Sequence, residues 1–531
     1  MAPLSCDLMS QPRPRARAST PPPIDVQAPG RADAAWVLLA IAGALIAFWG
    51  ALPYFFAQDD FSGLARARGL LPPVAFPWRW VSGQLYFDVM RVLAGLNPLP
   101  YRIVTLTTHA LCVALVYRLC RRFSPPPAAA VGAIFFGTHP ALFTAIYSIS
   151  GIGEILATVF ALASLLIVTR RGAGAWFALP LFAASLLSKE STLLLPLVAL
   201  LPMLAPEAGP ACDGRPAART LKAPVWALLA LSAAYLAAFF GRDVFGIRAS
   251  LPDSAAYALN FDRTLLDNLA TYLGWTIKIA LPWVHSFTDA IDPQAWGAGL
   301  LVAAVCATGF ALRPLRRHGW GVGAAWFTLA LLPVLPLAHH TYHYYLYAPL
   351  AGAAVLVAAV TAVLTGLPGR WASARLRGMG PAVTAVLLAT NGALLVHKIE
   401  TVPFVDPELR AEATVDRALI AAHAIDDLHT GSPPAATHVW FWSPASIARQ
   451  QAEGKAPALE SYWESNVRAA LADGLAARLF EPQLAQTRFV RAFEPAGDSV
   501  RYAVYLPNGH LRLGTPAELD SMLRRMHPGA P

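Results

Sequence analysis

Long apolar runs separated by short polar breaks occupy most of the chain up to about residue 400. They fall near 34–56, 103–119, 127–147, 152–169, 174–187, 191–205, 223–241, 297–312, 320–338, 346–366 and 381–397. A bilayer core accommodates about 20 apolar helical residues, so these runs predict membrane crossings. The breaks assign sides. Arg13/Arg15/Arg17, Arg118/Arg121/Arg122, Arg170/Arg171, Arg215/Arg219/Lys222, Arg313/Arg316/Arg317 and Arg370/Arg375/Arg377 all belong in the cytoplasm by the positive-inside rule. Eleven crossings satisfy every cluster, with the amino terminus inside and the carboxyl terminus outside. The stretch 265–283 is apolar but carries Asp267, Asn268 and Lys278. A twelfth crossing there would place Arg313, Arg316 and Arg317 outside, so the stretch predicts an interfacial or re-entrant helix.

Beyond residue 400 the pattern changes. Residues 437–442 and 501–506 alternate like strands, Asn508-Gly509 is a hairpin turn signal, and 459–479 reads as a helix. The expected fold class is thus an all-α polytopic membrane protein with a small C-terminal soluble α/β domain. Its parts are a disordered cytoplasmic tail (1–33), a transmembrane domain (34–399) with a first outer loop at 57–100, and an outer α/β domain (400–531). Within that loop, the piece from Trp78 through Arg91 is amphipathic and suits the membrane interface.

Composition supports this reading. The 531 residues are 56% hydrophobic and 14% charged, with mean hydropathy +0.47, whereas a soluble domain is about a quarter charged. The net charge of +9 does not indicate nucleic acid: residues 401–531 hold 12 basic against 15 acidic side chains, and the first 400 hold 29 against 17. The excess lies mostly in short loops between apolar runs, where it reports topology. Five cysteines (Cys6, Cys112, Cys120, Cys212, Cys306) show no CxxC or Cys/His spacing, which argues against a disulfide framework or a zinc site.

Several polar groups gather on the predicted outer face. Asp59-Asp60 follows a run ending in Trp49, Tyr54, Phe55 and Phe56, which suit an interfacial aromatic belt. Two such acids either stop a helix in water or do chemistry, as general base or as oxygen ligands of a divalent cation. If any residues here hold a metal, these two do. Ser188-Lys189-Glu190 interrupts about thirty apolar residues. It is either a hairpin turn whose charges neutralise each other, or a lysine for a lipid phosphate oriented by Glu190; ionisable groups at a membrane boundary are functional candidates by default. Glu154 opens a run after Gly151 and Gly153, where a helix dipole alone would favour it. His139 before Pro140 reads as a boundary residue. The segment His339-His340-Thr341-Tyr342-His343-Tyr344-Tyr345-Leu346-Tyr347 packs three His and four Tyr into nine positions. A belt explains the tyrosines but not the histidines, and the set suits a sugar-phosphate headgroup. With Arg79, these cations and imidazoles are the candidate phosphate partners.

These pieces resemble the GT-C superfamily of polyprenyl-phosphate-sugar-dependent glycosyltransferases. They look closest to the branch of protein O-mannosyltransferases and transmembrane O-mannosyltransferases with tetratricopeptide repeats. The resembling residues are Asp59-Asp60, Gly95-Leu96-Asn97-Pro98 through Tyr101 to His109-Ala110, His139-Pro140, Gly151-Ile152-Gly153-Glu154, Leu187-Ser188-Lys189-Glu190 and Tyr345-Leu346-Tyr347-Ala348-Pro349, spread over roughly 34–350. Arg102 and Thr105 stand where the repeat-bearing relatives have His and Asn, and the stretch after 400 stands in place of the repeats. The resemblance implies a GT-C-like fold and an inverting transfer of mannose or another hexose or pentose from a lipid-phosphate sugar to a protein, lipid or glycan on the outer face. One of Asp59 and Asp60, with a lean to Asp59, would be the catalytic acid residue. Lys189 and the His/Tyr cluster (His339, His340, Tyr342, His343, Tyr347) would serve the donor phosphate, together with Arg79, His139, Glu154 and Glu190. The Ala/Arg/Pro-rich composition fits a bacterial protein, for which the resemblance implies an inner-membrane location, a periplasmic active face and undecaprenyl phosphate as the donor lipid. The rival readings are a surface-polysaccharide polymerase or ligase, expected to rely on Arg and His in a large late loop, and a lipid or sugar transporter, expected to show mid-span acids and paired repeats.

Overall fold

A computed structural model of the chain describes residues 31–169, 173–201, 223–241, 259–277, 293–337, 340–366, 374–400, 414–431, 438–442, 467–489, 500–506 and 510–526. The tail 1–30, Lys278, His339 and the Asn508-Gly509 turn lie outside these residues.

The apolar runs are helical segments. They are α1 (Arg31–Phe48), α4 (Pro98–Arg121), α5 (Pro126–Gly137), α6 (Phe143–Tyr147), α7 (Ile152–Val168), α8 (Ala178–Ser188), α9 (Ala223–Gly241), α11 (Pro293–Ala311), α13 (Trp320–Leu331), α14 (Tyr347–Gly366) and α15 (Ala374–Glu400). Between α1 and α4 lie α2 (Asp59–Ala67), a π-turn (Val81–Leu85) and α3 (Tyr86–Ala94); α10 (Thr264–Trp275) and α12 (Arg313–Arg317) flank α11. Among the described residues, four segments are long and apolar enough to cross a membrane: Asp33–Ala51, Pro98–Arg121, His343–Gly366 and Met379–Glu400. The chain is thus that of an integral membrane protein.

Two runs differ from the expected straight spans. The run 127–147 is broken between α5 and α6 and bent by 46°. Pro140 cannot donate into a helix and pushes His139 into an extended conformation (φ −69°, ψ 125°). The run 191–205 forms 3-10 turns at Glu190–Thr192 and Leu195–Leu200, with Pro196 in the first turn of the second. The stretch 265–283 is represented by α10, whose 12 residues rise only about 18 Å, too short for a bilayer core. One of its polar groups, Asn268, also has an assigned place. Asn268 is fully buried and donates to the Leu335 and Leu337 carbonyls, at 2.8 and 3.0 Å, and accepts from Thr341 Oγ1 at 2.7 Å.

In lipid, helix association rests on close packing rather than on apolar transfer from water, and small residues provide it. A Cβ on Gly352 would lie 2.5 Å from the Gly323 carbonyl oxygen, so α13 and α14 meet backbone to backbone. The helix α14 also packs on α5, α4 packs on α5 and α7, and α15 lies against α1 and α5. At one end of this bundle Arg121 Nε and Tyr117 OH hold Asp33, both at 2.6 Å, tying α4 to the start of α1.

The C-terminal region contains α16 (Thr414–Gly431), α17 (Leu475–Phe480), α18 (Pro516–Met526) and a four-stranded sheet. The strands β1 (His438–Trp442), β2 (Gln486–Phe489), β3 (Val500–Tyr505) and β4 (Leu511–Gly514) run in the order β2-β1-β3-β4, with β1 parallel to β2 and β3, and β4 antiparallel to β3. Of the expected single helix over 459–479, residues 459–466 lie outside the described residues, and the remainder is interrupted. Ala472, Asp473 and Gly474 all take left-handed φ (47°, 52° and 87°) before α17 begins. Asp and Gly tolerate that region, and Arg468 bonds the Asp473 carboxylate at 2.8 and 3.0 Å. Tyr502, Val504 and Leu519 form a small cluster within this region, but most of its apolar side chains belong to a core it shares with the membrane part. Leu471, Ala476, Ala477 and Leu479 share one cluster with Phe56, Phe61, Leu64 and Tyr101 of the first loop and α4.

Candidate active site

The groups singled out in the sequence gather at the bundle end opposite Asp33. Gln58 precedes α2 in a conformation that non-glycine residues rarely adopt (φ 53°, ψ −122°), and the kink starts the helix on which both acids sit. The two acids then diverge. Asp59 is exposed. Asp60 is 1% exposed and accepts from Ser150 N at 2.7 Å, Ser148 Oγ at 3.3 Å and Ala57 N at 3.1 Å. Burial raises its carboxyl above the ordinary 3.8, while the nearby Arg102 charge and these hydrogen bonds pull the other way. The Arg102 guanidinium, itself buried, donates to the carbonyls of Tyr54 (3.2 Å), Phe55 (2.6 Å) and Tyr147. Together Asp60 and Arg102 tie the end of the first run to the Tyr147–Ser150 turn.

That turn leads into α7, whose first turn carries Glu154. Glu154 is buried and pairs with Lys189 Nζ at 2.8 Å, while Ser191 Oγ donates to its other oxygen at 2.8 Å. The Lys189 ammonium also lies 4.7 Å from the ring centre of Tyr344 and 5.2 Å from that of Tyr345, a cation–π arrangement. Glu190 turns the other way and forms a two-pronged ion pair with Arg79, with Nε to Oε2 at 3.0 Å. Arg79 has a left-handed φ of 48°, and the π-turn that follows is pinned by Ser82 Oγ to the Ser188 carbonyl at 2.7 Å. Both cations therefore reach one place from distant elements.

His340 bonds Tyr344 OH through Nε2 at 3.0 Å. Burial, with the charges of Lys189 and then Arg79, lowers its pKa to about 4, so the ring is neutral at pH 7 and acts as a hydrogen-bonding group rather than a cation. Tyr342 stacks on Tyr344 at 5.4 Å, and buried His343 stacks on Trp275 at 3.8 Å. The remaining two candidates are held away from this rim. His139 accepts from Ala141 N and bonds the Thr276 carbonyl, each at 3.2 Å, as a cap of the bend. Tyr347 lies inside the bundle, bonded to His109 at 2.7 Å. Among the described residues no group of three or more His, Cys, Asp or Glu could hold a metal ion. Asp60 has already committed its oxygens to three donors.

Sequence reasoning did not select Ser82, Ser148, Ser150 or Ser191, because serine at a turn is unremarkable until its partner is known. Arg102 gave a usable signal, since a lone Arg at the edge of an apolar run is, like Lys189, costly unless it is paired.

Fold and site define a polytopic helical membrane protein with paired charges and aromatic groups collected at one end of its bundle. No family model matches the chain. Protein O-mannosyl-transferase TMTC3 of Mus musculus is 24% identical over 153 residues, covering 25% of this chain and 17% of that protein. The Homo sapiens protein of the same name is 27% identical over 153 residues with the same coverage. The match thus spans under a fifth of these relatives' length, and it repeats the O-mannosyltransferase resemblance read from the motifs. Among solved structures, ArnT from Cupriavidus metallidurans bound to undecaprenyl phosphate aligns over 92% of this chain and 94% of its own, at 14% identity and TM-score 0.42. The Archaeoglobus fulgidus oligosaccharyltransferase in the apo form aligns over 82% and 59%, at 11% identity and TM-score 0.40.

Proposed function

We propose that the protein is a GT-C-type glycosyltransferase that moves a sugar from a polyprenyl-phosphate carrier to a hydroxyl acceptor, on the periplasmic face of a bacterial inner membrane. One observation carries the reading: Arg79, Lys189 and His340 converge at the bundle end that also carries Asp59, linked to it through Asp60, Ser150 and Glu154. Asp59 is the general base and Asp60 its anchor, because only Asp59 is exposed to take a proton.

The acceptor hydroxyl oxygen bonds to the anomeric carbon while Asp59 takes its proton. The bond from that carbon to the phosphate oxygen breaks, and the electron pair leaves with the polyprenyl phosphate. Attack opposite the leaving group inverts the anomeric centre. Lys189 and Arg79 stabilise the charge developing on the phosphate. Lys189, whose ammonium has three N–H groups, is held by Glu154, and Arg79 is held by Glu190, so both charges are fixed at this point. The tyrosines at 342 and 344 offer flat rings beside this point, and the sugar would lie against them. The region 400–531 forms an outer domain on the acceptor side.

The test is transfer from a purified polyprenyl-phosphate sugar by wild type, Asp59→Asn and Asp60→Asn. Loss of the base should cost Asp59→Asn about 10²–10⁴ in rate. Undiminished transfer by both variants would sink the assignment.

A further inference from the structure

We propose that Phe480, in the C-terminal region, is a positioning residue for Asp59: it holds α2 in the orientation that presents the base. The inference rests on the reading of Asp59 given above. The helix α2 is gripped along its length by residues 467–480. At its start, Gln58 N–H donates to the Ala470 carbonyl at 3.2 Å. In its first turn, Phe61 lies 6.4 Å from the Phe480 ring, which also sits 5.3 Å from Phe55 ahead of the helix. Just past its end, Arg68 donates to the Leu479 carbonyl at 2.9 Å.

The kink at Gln58 needs such support. A non-glycine residue held at φ 53°, ψ −122° persists only where surrounding contacts over-determine it. One support is internal, the Ala57 N–H to Asp60 bond. The other is the Ala470 carbonyl, which reaches Gln58 only while 467–480 is seated on Phe55 and Phe61. Asp59 follows Gln58 directly, so any relaxation of the kink rotates its carboxylate. The donor-side cations Arg79 and Lys189 have their partners elsewhere, so their placement does not depend on Phe480.

The experiment measures steady-state transfer by Phe480→Ala and Phe480→Leu, each with and without Gln58→Gly. A displaced base should lower kcat about ten- to a hundredfold in Phe480→Ala, with less loss in Phe480→Leu and an unchanged KM for the lipid donor. Glycine takes left-handed φ without strain, so Gln58→Gly should recover most of the lost kcat. An unchanged kcat, a loss confined to donor KM, or a loss that Gln58→Gly leaves in place would each overturn the proposal. If Phe480→Ala does not fold, the Phe480→Leu pair decides by the same criteria. A wild type that transfers no sugar counts against the glycosyltransferase reading alone. Positioning then stands on the maleimide labelling rate at Asp59→Cys, measured over the parent chain's background, which should change severalfold when Phe480→Ala is added; an unaltered rate would refute it.

Discussion

A carboxylate that accepts from Ala57, Ser148 and Ser150 spends its lone pairs on joining two distant stretches of chain. In Asp60→Asn one of those oxygens becomes an NH₂ facing donors, and the structure loses about 1–3 kcal/mol. Thermal unfolding in detergent should register that loss, and transfer should fall less than in Asp59→Asn. His340 makes the pH argument. Its folded pKa of about 4 lies below the ordinary 6.5, with burial the main cause and Lys189 next. A depressed value means stability that is full above the unfolded pKa and lost as pH falls through the folded one. Unfolding temperature should therefore decline between pH 6.5 and about 4, and His340→Gln should flatten that limb. An equal slope in both proteins would refute the assignment. The sequence marks His340 as a candidate but not its charge state, because that depends first on its burial and then on how near Lys189 and Arg79 come.

The short element 148–154 links the two halves of the site. Gly151 is required there, since a Cβ would sit 2.3 Å from the Ala145 carbonyl oxygen. Gly151→Ala should shift this turn, cost about 1–3 kcal/mol and reduce transfer, as Asp60 and Glu154 lose their common spacing. The pair Glu154–Lys189 binds α7 to the 188–192 turn. Removing one partner leaves a buried charge, at a cost of about 3–5 kcal/mol. A double-mutant cycle of Glu154→Gln and Lys189→Gln should show coupling of about 1–3 kcal/mol, and additive losses would argue that the pair is incidental. Elements were unevenly legible. The apolar runs stand out in the sequence, whereas the break in 127–147 was masked by the run's apolar continuity although Pro140 sits at it. The split of 459–479 at Asp473-Gly474 was hidden because its helical residues on either side keep an apolar pattern.

Taken whole, the chain joins a membrane bundle to a C-terminal sheet through a common core, with Phe56, Phe61, Leu64 and Tyr101 packed among Leu471, Ala477 and Leu479. A chain ending at residue 413 should therefore keep its membrane insertion but expose the first loop, and limited proteolysis should cut within 57–70 where it spares the full protein. Equal protection would show the loop to be independently stable. The eleven apolar runs, the basic breaks, the acid pair and the strand-like tail can all be read from the sequence, because apolar length, loop charge and alternation are local and additive along a chain. The amino-acid order cannot reveal that Glu190 belongs to Arg79, 111 positions away, that Lys189 belongs to Glu154, or that α2 leans on residues 467–480. Those pairings arise only when packed helices bring remote backbones together and burial makes an unpaired charge too costly to keep. The same folding separates Asp59 from Asp60, leaving one open to a proton and the other enclosed.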